Sequence, residues 1–98
     1  MNRWFDELGA RLAAAAARRG TKIEAPGLDA EVAGELLELA RVAAHTQERR
    51  FAPLASFLAG VAAERVRTAG GDASGPRLAA LVREVREELE AEAPPSSA

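Results

Sequence analysis

Apolar positions recur every three to four residues through most of the chain, with charged residues between them, and this period predicts four helices. The first is expected over residues 2–18, where Trp4, Phe5, Leu8, Leu12 and Ala15–Ala16 fall on one stripe. Asn2 stands where an N-cap is needed, Asp6 and Glu7 lie where they favour the helix dipole, and Gly20 ends the run. Residues 20–28, with Pro26-Gly27, read as a loop. A second helix is expected over 30–47 behind an Asp29 cap. Its Val32, Leu36, Leu39, Ala40 and Ala43 would face inward, widened by Leu37 and Ala44, and its Glu31, Glu35, Glu38 and Arg41 outward.

Pro53 suits the first turn of a third helix over 53–68, which should bury Leu54, Phe57, Leu58, Val61 and Ala62. Gly70-Gly71-Asp72 marks a turn. A fourth helix is expected over 76–92, capped by Ser74 or Gly75, with Leu78, Leu81, Val82, Val85 and Leu89 spaced i, i+3, i+4, i+7. Residues 94–98 (Pro-Pro-Ser-Ser-Ala) are expected to be a disordered tail. The class is therefore all-α: a compact, four-helix bundle-like single domain over residues 1–93.

Composition narrows the picture. A chain of 98 residues is the size of one domain. Apolar residues make up 48%, but 24 of them are alanine, so helices must approach closely over alanine faces to fill any core. The net charge of −2 excludes the strongly basic surface of a dedicated nucleic-acid binder. With no cysteine there is no disulfide, thiolate metal site or cysteine nucleophile. No apolar run approaches the ~20 residues that span a bilayer. Trp4, Phe5, Asp6 and Glu7 interrupt any apolar start of signal-peptide type, which makes a cytoplasmic location the expectation.

Unusual chemistry gathers at the joint between the second and third helices. His45 lies four residues after Arg41 and four before Arg49, so a continuous helix would stack all three on one face. Its structural role would be to cap the second helix or pack on the third; its functional role would be to bond a ligand or partner. A lone histidine without neighbouring carboxylates does not suggest a metal site. Arg49-Arg50 precede the start of the third helix, whose free N–H groups attract anions, and together they suggest a phosphate or carboxylate site. The competing role is a solvated loop in which the arginines pair with glutamates such as Glu48. Phe51 is expected to plug the core rather than to stack on a ligand. Trp4 and Phe5 should both be buried; exposure of either, or of Phe51, would suggest an interface.

No catalytic arrangement emerges. Ser56 and Ser74 lack a nucleophile elbow, Gly70-Gly71 leads into no lysine-bearing phosphate loop, and the many carboxylates sit on outward faces. No cofactor is implied by the residues, and the chain reads as no enzyme.

The pattern Ala44-His45, Arg49, Ala52-Pro53-Leu54, Phe57-Leu58 and Gly60, with the opening Trp4-Phe5-Asp6-Glu7-Leu8, resembles a family of small uncharacterised helical domains from actinobacteria. Leu28-Asp29 through Arg41-Val42 fits the second helix of that family, so the resemblance spans about residues 2–65. Such domains occur alone or fused behind a molybdenum cofactor guanylyltransferase, and they are often labelled as molybdopterin-guanine dinucleotide biosynthesis proteins. Two features depart: Arg50-Phe51 stand where the family has proline after the arginine, and the region after Val66 is longer. The resemblance implies a non-enzymatic accessory module that binds a protein partner in molybdenum cofactor maturation. The alternatives are a module binding a nucleotide or pterin phosphate through His45, Arg49 and Arg50, and a homodimeric structural protein joined through Trp4 or Phe5.

Overall fold

The computed structural model describes residues 2–92, which form four helices: α1 (Arg3–Arg18), α2 (Ala30–Thr46), α3 (Phe51–Thr68) and α4 (Gly75–Glu92). No strand occurs among the described residues, as the helical period requires. The tail expected over 94–98 lies outside them.

Local chemistry explains the helix ends. Asn2 is extended, and its Oδ1 accepts a hydrogen bond from the Trp4 N–H at 2.7 Å, which satisfies one free donor of the first turn. At the other end of α1 the Thr21 N–H donates to the Ala16 carbonyl at 2.9 Å and the Gly20 N–H to that of Ala17 at 3.0 Å. This 6→1, 5→2 pairing needs a left-handed residue, and Gly20 supplies it with φ 88°. The end of α3 repeats the device. Gly71 donates to Val66 at 2.9 Å and Gly70, at φ 86°, to Arg67 at 3.1 Å.

The third helix begins at Phe51, two residues ahead of the expected start at Pro53. A helix leaves its first N–H groups unpaired, so proline is as well tolerated in the third position as in the first. Ahead of α4, Asp72 Oδ1 accepts from the Ser74 N–H at 3.0 Å, and the Ser74 carbonyl accepts from Leu78 at 2.9 Å.

The chain divides into two units, Met1–Ala30 and Glu31–Ala98. In the first, α1 meets the extended segment that follows it at Gly9, the one buried residue of this helix. A Cβ built on Gly9 would lie 2.2 Å from the Pro26 carbonyl oxygen, so only glycine admits this approach. The expected inner stripe of α1 faces outward: Trp4 is 61% exposed, and Leu8 and Leu12 are exposed too, while Phe5 is half-buried against the Trp4 edge. The two rings meet edge-to-face with centroids 5.1 Å apart. Burial of both, expected from the shortage of large residues, holds for neither. Glycine, not leucine, is what lets α1 approach its neighbour.

In the second unit α2 and α4 run parallel. Glu35 meets Arg83 and Arg86, and Arg41 meets Glu90, so positions rise together along both helices. The short links 47–50 and 69–74 then make α3 the antiparallel return. The buried side chains are small and few: Ala33, Leu39 and Val42 on α2, Ala79 and Val82 on α4. None belongs to α3.

That last fact corrects the expected core. Leu54, Phe57 and Leu58 are 59%, 69% and 67% exposed, Ala62 is exposed, and Phe51 is no core plug. The spacing 54, 57, 58, 61 does mark one face of a helix, but of its residues only Val61 is half-buried, and Leu54, Phe57 and Leu58 stay exposed. The half-buried positions of α3 are Val61 on that stripe and, opposite it, Ala52, Ala55, Ser56, Ala59, Ala63 and Val66, a mostly alanine face that allows the closer approach. Leu37 of α2 is also exposed.

Candidate docking face on α3 and α4

The α2–α3 joint is an exposed turn. Gln47 donates to the Ala43 carbonyl at 3.1 Å, Phe51 to Glu48 at 3.0 Å and Ala52 to Arg49 at 3.1 Å. His45 lies in the last turn of α2 and is exposed. Arg41 does not stack with it over a ligand; its guanidinium lies on Glu38 at 3.1 Å and on Glu90 of α4 at 3.2 Å. Arg50 pairs with Glu48 at 2.7 Å, the loop-residue role, while Arg49 is an exposed turn residue. The backbone donors of an anion site are missing as well. Of the first three residues of α3, Phe51 and Ala52 already donate within the turn, and Pro53 has no N–H. His45, Arg41, Arg49 and Arg50 are thus near in sequence, and the structure gathers them around no common point.

One cluster was not legible as such. Glu35, expected to face outward, turns to α4 and accepts from Arg83 Nε at 2.9 Å and from Arg86 Nη2 at 3.0 Å. Arg86 Nη1 reaches Glu90 at 2.9 Å, and Glu90 reaches Arg41. The chain Arg83–Glu35–Arg86–Glu90–Arg41–Glu38 therefore stitches α2 to α4. Hydrogen bonds from Arg83, then Arg86, hold the Glu35 carboxyl below its ordinary pKa of 4.5. Those from Arg86, then Arg41, do the same for Glu90. The Arg86 guanidinium is raised in turn, by Glu90 first and Glu35 second. Arg86 Nε is buried without a hydrogen-bond partner among the described residues, while its Nη2 ties α4 to α2 through Glu35. The spacing 35/83/86 is invisible in sequence, since the partners are about fifty positions apart.

The prominent concavity lies between α3 and α4, with Leu39 of α2 at its base. It holds about 330 Å³. Ala55, Ala59 and Ala62 form a low wall on α3, with Leu58 rising at its edge; Leu81, Val82, Val85 and Leu89 form the α4 wall. The cause is a mismatch of side-chain size: alanines at i, i+4, i+7 face a Leu/Val stripe and leave the space between unfilled. Beside it Leu54 and Phe57 continue the apolar surface along α3. A helix apolar on both faces is ordinarily covered on both. At about 150–200 Å² for a fully exposed side chain of this size, the groove and the α3 ridge present on the order of 600 Å². That is at the upper end of what a monomer leaves open without a use. The α3 stripe was the available signal, read as core because period alone does not say what covers a face.

On α1, Trp4, Glu7, Leu8 and Arg11 outline a smaller concavity of about 230 Å³. Among the described residues no group of three His, Asp or Glu is placed to hold a metal ion, and no helix is long and apolar enough to cross a membrane.

The chain belongs to the family described as a domain of unknown function (DUF6457), whose family model matches residues 1–96. No curated protein and no solved structure matches it.

Proposed function

Taking that membership, which assigns no activity, as the premise, we propose that the chain is a non-enzymatic helical accessory module that binds a protein partner through its α3–α4 face. The observation that carries this reading is the groove with its exposed ridge of Leu54, Phe57 and Leu58. Small-molecule sites combine an apolar pocket with a few polar groups that fix orientation; the side chains lining this groove are all aliphatic and offer none. A broad apolar surface without orienting groups suits a protein chain. The resemblance of Ala44–Gly60 to domains appended to guanylyltransferases supplies the candidate partner, a protein of molybdenum cofactor maturation. Purified guanylyltransferase from the same source is mixed with the chain and resolved by size-exclusion chromatography. Co-elution that Leu58→Asp abolishes is expected; separate elution of the wild-type chain would refute this partner. Homodimerisation through α1 is a second reading, favoured by the exposure of Trp4. It requires a dimer mass by light scattering that Trp4→Ala halves.

A further inference from the structure

We infer that the occupant of the α3–α4 groove is an amphipathic helix of the partner whose apolar face is flanked by lysine or arginine. The inference rests on the docking reading above and adds the chemistry of the ligand. Its observation is a row of carboxylates. Glu84, Glu88 and Glu92 follow one another at i, i+4 along α4 and are exposed. The helix period places them beside Leu81, Val85 and Leu89, on the side away from α2, because Arg83, Arg86 and Glu90 occupy the α2 side. They therefore border the open edge of the groove.

The row is locally unfavourable. Like charges at i, i+4 repel one another, and anions near a helix C-terminus oppose its dipole. The arginines of α4 do not relieve it: Arg83 and Arg86 are engaged with Glu35 and Glu90, and Arg77 lies on Asp72 at 3.5 Å. Among the described residues no hydrogen bond or ion pair reaches Glu84, Glu88 or Glu92. A locally unfavourable pattern beside an uncovered apolar groove is the arrangement expected of a binding edge.

A groove left open among α2, α3 and α4 takes a further helix in the manner of a bundle, and an amphipathic helix inserts its i, i+3, i+4, i+7 residues into such a groove. Cations on the flank of that helix would meet the carboxylates as its apolar face enters. Through its α3 face a second copy of this chain complements the row poorly. The outward face of α3 brings Arg65 alone near its apolar ridge, and Glu64 adjoins it.

The test uses the full chain and two synthetic amphipathic helical peptides matched to α4 in length. One carries leucine on one face and lysine elsewhere; its twin carries glutamate in place of lysine. Affinities are measured by fluorescence anisotropy at low salt. The lysine peptide is expected to bind about tenfold tighter than its twin, the effect of three exposed charge pairs. The combined variant Glu84→Lys/Glu88→Lys/Glu92→Lys should invert the order, and Leu58→Asp should remove binding of both peptides while circular dichroism is unchanged. Equal affinity of the two peptides, or a preference that the triple reversal leaves standing, overturns the basic-helix inference and leaves docking on the groove intact. Undiminished binding by Leu58→Asp sinks both. A dimer that Leu58→Asp converts to monomer would give the groove to a second copy and also overturn the inference.

Discussion

Replacing Gly9 by alanine sets helix propensity against tertiary contact, and the two give opposite signs. In an exposed helix interior glycine is about 1 kcal/mol less favourable than alanine, so propensity alone has Gly9→Ala stabilise α1. The structure puts the new Cβ 2.2 Å from the Pro26 carbonyl oxygen, a backbone atom, whereas ordinary contact begins at 3.4 Å. The segment after α1 must retreat by the difference, about 1.2 Å, or detach. Overpacking of this kind costs about 1–3 kcal/mol, which cancels or exceeds the propensity gain. Gly34 and Gly60, on α2 and α3, are internal controls, since a Cβ at either meets nothing within 4 Å. For a domain of this size 1 kcal/mol moves Tm by about 4–8 °C. Gly34→Ala and Gly60→Ala should each raise Tm by roughly that amount, and Gly9→Ala should leave it level or lower it. Hydrogen exchange locates the effect: the Arg19, Gly20 and Thr21 amides, which are bonded to the end of α1, should lose protection in Gly9→Ala alone. A Tm gain in Gly9→Ala equal to that of Gly34→Ala, with exchange at these three amides unchanged, would refute the close approach.

Three other outcomes follow from the helix contacts. Glu35 has its pKa depressed in the folded chain, so its ion pairs stabilise fully above the ordinary 4.5 and are lost as pH falls through the folded value; urea midpoints should drop over that acid range, and Glu35→Gln should flatten the drop. Val82→Ala, in the small buried core, should destabilise by about 1–3 kcal/mol in chemical denaturation, whereas Phe57→Ser on the exposed ridge should change stability by less than about 0.5 kcal/mol; comparable losses in both would mean that α3 is covered on its outer face. Arg49→Ala should leave stability within about 0.5 kcal/mol of wild type and should not alter calorimetric titration with guanine nucleotides, since no backbone donors converge at the joint; a nucleotide heat signal lost in Arg49→Ala would restore the anion-site reading.

The periodicity of the chain determined a good deal by itself. Local rules act within one turn, so Asn2, Gly20, Gly70 and Pro53 are enough to place helix ends to within about two residues. The all-α class follows from the same 3.6-residue period and the wealth of alanine. Which side of each helix is covered could not be read this way. The stripe Leu54, Phe57, Leu58, Val61 defines a face, but burial depends on what lies opposite, and in α3 the alanine face allowed the nearer approach. Sequence likewise put Glu35 among solvated carboxylates, and only the parallel pairing of α2 with α4 brought Arg83 and Arg86 to it across about fifty residues of chain. The joint around His45 shows the reverse: its residues are adjacent in sequence, yet an exposed turn, an intrahelical pair at Arg41 and a proline without an N–H disperse their chemistry. Side-chain identity settles what each position can do. Only packing in three dimensions decides which neighbours it has to do it with.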